Sequence, residues 1–245
     1  MPIKGLLFDL NGTVIDILTD EGYDDLYRVS ANFLDYYGVK IAPGVLRRQF
    51  FELNRQQRHN SSEKYPEFDV SKIFQEIIQT FQTRTIADTE TLAHTAATVF
   101  RAASRFRLEC YDGVNEILNE LQNHYKMGAI TDGQSLWAKP ELFSVGLEKF
   151  FDPVLISGDF GYRKPEKRLF AQALKMMELA AGEVLFVGND MYRDVYGGHH
   201  AGMKTVFYKS NQGDHQFRGA EPDYIISSFR ELPQAIEFLN AQSTK

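Results

Sequence analysis

The sequence predicts an α/β protein with a doubly wound parallel sheet and an inserted helical segment. Short apolar runs without polar alternation indicate strands buried on both faces. From Tyr111 onward these runs alternate with helical apolar stripes, which is typical of parallel sheets with right-handed crossovers. Before that point, a long stretch shows helical periodicity alone. We therefore expect a doubly wound core formed by residues 1–15 and 108–245 and a helical insert formed by residues 16–107.

The first predicted strand is the apolar run that starts at Gly5 and ends at Asp9. Gly12 follows closely and permits a turn. Because ligands bind open α/β sheets at the carboxyl ends of their strands, we expect the Asp9 carboxylate to face a binding crevice.

The insert carries apolar residues at spacings of three and four, and no convincing strand pattern. We expect about four helices, with Pro66 at the first position of one of them. The residues that define these stripes are Leu26, Val29, Phe33, Tyr37, Ile73, Ile77, Phe81, Leu92, Ala96, Val99 and Ala103.

The remaining chain supplies five further predicted strands and the helices between them. A helix is expected after Asp190 and continues to about Gly202, and a surface loop is expected over 209–222. The predicted strands are 126–131, 154–157, 184–187, 205–208 and 224–226.

Composition narrows the classes of function. The net charge of −6 argues against nucleic acid or an acidic membrane as a partner, since either would require a basic surface. The single cysteine, Cys110, cannot form an internal disulfide, which fits a reducing compartment. No apolar run reaches the roughly 18 residues of a membrane span. We expect a cytoplasmic protein; its oligomeric state does not follow from the sequence.

Polar side chains collect where the predicted strands end. In a doubly wound sheet such positions converge on one crevice, although they are far apart in the chain. The residues are Asp9, Asn11, Thr131, Asp132, Lys164, Asp190 and Asp194.

In these segments the sequence resembles the haloacid dehalogenase-like (HAD) hydrolase superfamily, which has a Rossmann-like core. The matching motifs follow one another in the family's order. They are Phe8-Asp9-Leu10-Asn11-Gly12-Thr13, Ile130-Thr131-Asp132-Gly133, Gly161-Tyr162-Arg163-Lys164-Pro165-Glu166, and Val187-Gly188-Asn189-Asp190 with Asp194. The insert stands where one class of these enzymes carries its cap, so we call residues 16–107 the cap.

The resemblance implies a Mg²⁺-dependent hydrolase of small phosphorylated metabolites. Asp9 would be the nucleophile and form an aspartyl-phosphate. Mg²⁺ would bind Asp9, the main-chain carbonyl of Asn11, and Asp190.

Three further residues would bind the phosphate in that scheme, namely Thr131, Asp132 and Lys164. Thr131 would orient the transferring group, and Lys164 would neutralise one of its oxygens. Asp194 would hold Lys164 or a metal-bound water.

Two departures from the family pattern leave alternatives open. Asn11 stands where the phosphatases carry an aspartate that acts as general acid and base, work that an amide cannot do. Asn189 stands where many relatives have the metal-binding aspartate, one residue before Asp190. The alternatives are a 2-haloacid dehalogenase-type hydrolase, which attacks carbon without a metal, and a phosphate-binding relative with little or no turnover.

For several other side chains we consider a structural interpretation beside a functional one. His199 and His200 are adjacent on a helix and point in different directions, so a surface location is expected. Trp137 is expected to pack beneath the cap or to line the cleft. A basic stretch in the cap indicates either a solvated helix face or a surface that attracts an anionic substrate. It contains Arg47, Arg48, Arg55 and Arg58.

Overall fold

The computed structural model describes residues 1–242 and confirms the α/β class. The core is a six-stranded parallel sheet with the order β5-β4-β1-β6-β7-β8. Its strands are β1 (Gly5–Phe8), β4 (Lys126–Thr131), β5 (Val154–Ile156), β6 (Val184–Gly188), β7 (Lys204–Tyr208) and β8 (Tyr224–Ile226). All six strands lie where the sequence predicted them, within one residue at each end.

The central strand β1 is buried on both faces, as its uninterrupted apolar run predicted. It pairs in parallel with β4 on one side and with β6 on the other. Leu6 and Phe8 belong to one hydrophobic cluster, and Leu7 belongs to the cluster on the opposite face. Because strand order changes sides at β1, its carboxyl end opens at the crevice where such sheets bind ligands.

Helices cover both faces of the sheet and form the cap. The bounds are α1 (Asp24–Tyr36), α2 (Pro43–Asn60), α3 (Val70–Phe81), α4 (Thr89–Ser104), α5 (Val114–Leu121), α6 (Ser135–Ser144), α7 (Lys167–Met177), α8 (Gly197–His200) and α9 (Leu232–Gln242). Within residues 1–242, none of these helices combines the length and the apolar character that a bilayer span requires.

The cap consists of α1 to α4, the four helices that the periodicity predicted. Their apolar stripes meet in a separate hydrophobic cluster, with Phe50 stacked on Phe100 at 4.4 Å between ring centroids. Two helix starts are capped by aspartates: Asp69 accepts from Lys72 N, and Asp88 accepts from Thr91 N. The cap therefore buries its own core.

Pro66 does not open a helix, in contrast to the prediction. Helix α3 starts at Val70, and Pro66 lies in the preceding loop, where it forms an isolated antiparallel bridge with Tyr162 of the core. The conformation at Pro66 depends on this contact with a distant loop, and a proline in the sequence does not reveal such a contact.

The expectation that no strand occurs in 16–107 is wrong at both ends of this range. The chain enters and leaves the cap through an antiparallel pair, β2 (Ile15–Thr19) and β3 (Arg105–Cys110), with Ile15 opposite Cys110. The alternation in β2 covers only a few residues, too short a span to distinguish it from the start of a helical stripe.

The helix predicted after Asp190 is irregular. Residues Met191–Tyr196 form a π-helical turn, and α8 continues it for four residues. Such turns are common at functional sites. The loop predicted over 209–222 is present as irregular chain.

Candidate active site

The turn after β1 brings the chain back over the strand end. Val14 N and Ile15 N both donate to the Leu10 carbonyl oxygen, at 2.9 Å each. Gly12 has φ +88°, and a Cβ on it would lie 2.2 Å from Asn189 Nδ2. Any other residue would both strain the backbone and displace Asn189. Glycine therefore permits β1 and β6 to end in contact.

A buried cluster of two carboxylates and one ammonium group occupies this edge of the sheet. Lys164 Nζ lies 2.5 Å from Asp9 Oδ1 and 2.8 Å from Asp194 Oδ1. It also donates to the Ile130 carbonyl oxygen at 3.2 Å. The three charged residues are each at most 6% exposed. The structure thus brings the first, third and fourth motifs together, as the strand-end pattern predicted.

The charges in this cluster shift one another's protonation. Burial would lower the pKa of Lys164, but the carboxylates of Asp194 and Asp9 outweigh burial and raise it. Burial raises the pKa of Asp194 to about 6, and the charge on Asp9 adds to this increase while Lys164 opposes it. Two carboxylates and one ammonium leave one negative charge uncompensated when all are ionised.

Asp194 also fixes the loop after β6. Its second oxygen accepts hydrogen bonds from Asn189 N and Asp190 N, both at 3.0 Å. This approach requires Gly188, because a Cβ there would lie 2.4 Å from Asp194 Cβ. Asp194 therefore contacts Lys164 as expected and also shapes the turn that carries the fourth motif.

Asn189 faces Asp9, whereas Asp190 is engaged elsewhere. Thr13 Oγ1 lies 2.9 Å from Asp9 Oδ2 and 3.2 Å from Asn189 Oδ1, so the three side chains meet. The hydroxyl carries one proton and donates to one of these two oxygens at a time. Thr13 stands in the first motif, but sequence reasoning gave it no role.

Both carboxylate oxygens of Asp190 already have donors. Oδ1 caps the π-helical turn by accepting from Tyr192 N at 3.0 Å and from Arg193 N at 2.7 Å. Oδ2 accepts from the Arg193 guanidinium and from Asp214 N, at 2.9 Å and 3.2 Å. Although burial acts in the opposite direction, Arg193 and these donors lower the pKa of Asp190. Asp190 is thus a helix cap and an ion-pair partner here, whereas the resemblance implied a metal ligand.

The second motif lies at the end of β4, beside Lys164. Thr131 Oγ1 is fully buried and has no hydrogen-bond partner within residues 1–242. Asp132 Oδ1 accepts from the main-chain N of Lys164 at 3.0 Å, so Asp132 holds the third motif by its backbone. An unpaired buried hydroxyl is unfavourable and favours a polar ligand at that place.

A cavity of about 540 Å³ lies between cap and core and reaches this edge of the sheet. Asn11 and Asn189 line its floor, and Trp137 lies on its wall while it also packs with the cap cluster. Among the charged side chains of its lining, five arginines face three carboxylates. They are Arg58, Arg101, Arg107, Arg163 and Arg193 against Glu67, Asp132 and Glu141.

Of the four arginines in the basic stretch of the cap, Arg58 lines this cavity. Arg48 and Arg55 are exposed to solvent, and Arg47 pairs with Asp24 at 2.6 Å. The solvated helix face therefore describes Arg48 and Arg55, and attraction of an anionic substrate by Arg58 stays a prediction. Sequence reasoning missed Arg163 and Arg193 as cavity residues, although each lies within or beside a recognised motif.

His199 is partly exposed and lies in α8, directly after the π-helical turn that begins at Met191. Its Nε2 is 2.9 Å from Asp223 Oδ2 and 2.9 Å from Thr205 Oγ1. No group of three or more His, Cys, Asp and Glu side chains within residues 1–242 is arranged to hold a metal. Any cation at the strand ends would therefore have to use a mixed set of oxygen ligands.

The residues around Asp9 provide such a set. Oxygen atoms of carboxylate, amide and main-chain carbonyl groups are the ligands that Mg²⁺ accepts. Asp9 supplies a carboxylate oxygen and Asn189 an amide oxygen, both in contact with the Thr13 hydroxyl. Asn11 adds its main-chain carbonyl in the turn after β1. The uncompensated negative charge of the buried cluster also favours a cation. The site therefore fits Mg²⁺ with fewer acidic ligands than expected.

The fold and the site define a class of protein. It is an α/β protein in which an aspartate at the end of the central strand forms an ion pair with a lysine, and in which four helices are inserted after that strand. The family described as haloacid dehalogenase-like hydrolase matches residues 6–208. The chain belongs to this family, which confirms the resemblance stated above.

Curated relatives include several phosphatases. A glyceraldehyde 3-phosphate phosphatase of Pyrococcus furiosus is 34% identical over 49% of this chain and 49% of its own length. The chain thus spans about half the length of the first relatives it matches. The N-acylneuraminate-9-phosphatase of Rattus norvegicus is 22% identical over 98% of this chain and 96% of its own length.

Solved structures share the fold at low identity. A 2-haloacid dehalogenase from Pseudomonas syringae has a TM-score of 0.69, with 21% identity over 96% of this chain and 99% of that one. The putative HAD-hydrolase YfnB from Bacillus subtilis, solved bound to magnesium, has a TM-score of 0.59, with 20% identity over 97% of this chain and 100% of that one. These similarities show that the chain shares their fold.

Proposed function

We propose that this protein is a Mg²⁺-dependent hydrolase of small phosphate monoesters, with Asp9 as the nucleophile. One observation carries the proposal: the Asp9 carboxylate is held by Lys164 and by Thr13, which also contacts Asn189 in the lining of a cavity whose charged residues are mainly cationic. A carboxylate that attacks a phosphate ester needs positive charge around it, because both groups are anionic.

Asp9 would attack phosphorus and displace the alcohol, which leaves an aspartyl-phosphate for water to hydrolyse. Lys164 forms an ion pair with Asp9 and orients one of its oxygens, since the two groups lie 2.5 Å apart. The Thr13 hydroxyl orients the other oxygen. The chain thus holds the nucleophile from two sides.

The phosphate would bind between the first and second motifs. The buried hydroxyl of Thr131 is available to donate to a phosphate oxygen, and Lys164 adds positive charge. Asp132 binds the backbone of Lys164, so we assign it a positioning role. Phosphoryl transfer depends mainly on such positioning and charge stabilisation.

For the metal we propose Asp9, the main-chain carbonyl of Asn11, and the side-chain oxygen of Asn189. This set replaces Asp190 by Asn189, because Asn189 Oδ1 shares the Thr13 hydroxyl with Asp9, whereas the Asp190 oxygens bind Arg193 and three main-chain N–H groups. When bound, Mg²⁺ would offset the negative charges of nucleophile and phosphate and help to align them.

Asn11 should determine which phosphate esters the protein hydrolyses fastest. Because an amide cannot protonate a leaving oxygen, turnover of alkyl phosphates should be about 100- to 10,000-fold slower than with a carboxyl group there. Acyl and aryl phosphates have leaving groups that need no proton and should be favoured. The two phosphatases named above are named for small phosphorylated compounds, which supports a substrate of that size here.

Asn11 also keeps a second candidate open, hydrolysis of a 2-haloacid. In that reaction Asp9 attacks carbon, and halide leaves without a proton. The arginines of the cavity would hold the carboxylate and the departing halide. This reaction needs no metal, so dependence on Mg²⁺ separates the two candidates.

The test measures phosphate release from p-nitrophenyl phosphate, acetyl phosphate and alkyl phosphates, and chloride release from 2-chloropropanoate. We expect phosphate release that a chelator abolishes and Mg²⁺ restores. Asp9→Asn should lower it at least about 1,000-fold, because nucleophile and charge are both lost. Asp35→Asn, an exposed site on α1, is the matched control. Metal-independent chloride release would support the dehalogenase instead.

A further inference from the structure

The arginines of the cavity differ in whether their charge is already compensated. Arg101 binds Glu141 through two nitrogens, at 2.6 Å and 3.2 Å. Arg107 lies 2.8 Å from Asp16, and Arg193 lies 2.8 Å from Asp190. These three arginines are engaged in ion pairs and are less available to a ligand.

Arg163 and Arg58 remain. Within residues 1–242 the Arg163 guanidinium has no carboxylate within ion-pair distance and no hydrogen bond, although its main-chain N donates to Tyr65 O at 2.9 Å. Arg58 Nε is buried without a hydrogen-bond partner, and Arg58 Nη2 forms one long ion pair, 3.5 Å from Glu67 Oε1. Both side chains line the same cavity.

Glu67 compensates Arg58 poorly. Its carboxylate already accepts from Ser157 Oγ at 2.8 Å and from Phe68 N at 3.1 Å. Burial raises the pKa of Glu67, which opposes its ionisation. Burial also lowers the pKa of Arg58, and the nearby charge of Arg163 adds to that effect. Within the described part of the chain, Arg163 therefore has an uncompensated charge, and Arg58 has one unpaired buried donor and a single long contact with Glu67, in the lining of one cavity.

We propose that Arg58 and Arg163 form a second anion subsite that selects substrates carrying a further anionic group, a carboxylate or a second phosphate, besides the phosphate at Asp9. This inference rests on the proposed function for the phosphate end. A guanidinium presents several donors in a plane and suits either group. Arg58 belongs to cap helix α2 and Arg163 to the core, so one bound anion would join the two domains.

The test uses phosphonates, which are not hydrolysed, and the fluorescence of Trp137, the single tryptophan of the chain and part of the cavity wall. The ligands are propylphosphonate, 3-phosphonopropanoate and propane-1,3-diylbisphosphonate, with homologues of two to six carbons. We expect the two ligands with a second anionic group to bind about tenfold more tightly at a suitable chain length.

Arg163→Gln and Arg58→Gln should each reduce this preference to about twofold or less, and Arg163→Lys should retain part of it. Arg55→Gln is the matched control, since Arg55 lies on the same helix and faces solvent. A comparison of carboxylate with phosphonate distinguishes the two kinds of anion. Equal Kd values for all ligands at every length, or variants that weaken every ligand by the same factor, would overturn the subsite.

Phosphate release from p-nitrophenyl phosphate is measured in parallel. If no ester is hydrolysed, the proposed function fails. The ratio of the Kd of propylphosphonate to the Kd of a ligand with a second anionic group still tests the subsite. If esters are hydrolysed and the ratio is one in the wild type, the subsite fails and the proposed function stands.

Discussion

At the scale of single residues, two amides stand at positions where carboxylates were expected. Asn11 lines the floor of the cavity, and Asn189 meets Asp9 around the Thr13 hydroxyl. An amide keeps the shape of a carboxylate and one oxygen ligand, but it loses the negative charge and the ability to exchange a proton. We therefore expect Asn11 to slow the hydrolysis of alkyl phosphates and Asn189 to weaken the binding of Mg²⁺, each relative to an aspartate at the same position.

We predict that Asn11→Asp raises kcat on alkyl phosphates by about 100- to 10,000-fold, because it supplies the missing general acid and base. The rate on p-nitrophenyl phosphate should change much less, since that leaving group needs no proton. Steady-state kinetics on both esters checks this. A similar change on both would show that protonation of the leaving group does not limit the reaction.

We predict that Asn189→Asp tightens Mg²⁺ binding, measured by calorimetry, by about tenfold, because it adds a charged oxygen ligand beside Asp9. Asp190→Asn should change Mg²⁺ affinity little. It should instead lower the free energy of unfolding by about 1 kcal/mol, since it weakens a helix cap and an ion pair. Loss of Mg²⁺ binding in Asp190→Asn alone would assign the metal ligand to Asp190.

At the scale of elements, the loop before α3 is one of the contacts that bind the cap to the core, beside the ion pair of Arg101 with Glu141. Gln134, directly after the second motif, donates from Nε2 to Phe68 O at 2.7 Å and accepts at Oε1 from Val70 N at 3.1 Å. Glu67 N donates to Gly161 O at 2.9 Å in the same contact. Gln134 and Gly161, in or beside the second and third motifs, thus contact the loop before α3 as well as carrying site residues in the same segments.

We predict that Gln134→Ala loosens this loop without unfolding the core. Loss of two hydrogen bonds, about 1–2 kcal/mol together, should speed amide hydrogen exchange over 65–70 by roughly tenfold and leave β1 protected. Mass spectrometry of exchanged peptides measures this, with Gln122→Ala on the surface as the control. Equal acceleration in β1 would indicate global destabilisation.

At the scale of the whole molecule, a protein with a net charge of −6 concentrates positive side chains in its cavity. Such an arrangement attracts anions to one place while the rest of the surface repels them. Beneath it lies the buried cluster, whose excess of negative charge a cation would relieve. The expected partners of the two regions are therefore a phosphorylated anion and a divalent cation.

We predict that Mg²⁺ stabilises the protein more at pH 7.5 than at pH 5. The folded-state pKa of Asp194 is raised to about 6, so its contribution to stability is present below about pH 4 and is lost as the pH rises through 6. Bound Mg²⁺ should offset this loss where Asp194 is ionised. Thermal unfolding with and without Mg²⁺ checks this, with NaCl at equal ionic strength as control. An equal shift at both pH values would contradict it.

The sequence by itself determined the α/β class, the strands of the sheet, the four cap helices and the strand ends that carry Asp9 and Thr131. Apolar periodicity and turn residues are local properties, and a parallel sheet brings its strand ends to one edge, so these features follow from short stretches of chain. The boundaries of the cap and the roles of the site residues stay predictions.

The tertiary structure alone decided which side chain of the fourth motif faces Asp9 and which arginine of the cap enters the cavity. Asn189 points inward because it meets Thr13, 176 residues away, while Arg193 and Asp214 engage Asp190. The β2–β3 pair likewise joins residues about 90 positions apart. The direction of a side chain in a turn is set by partners that are distant in the chain, and local patterns do not encode such partners.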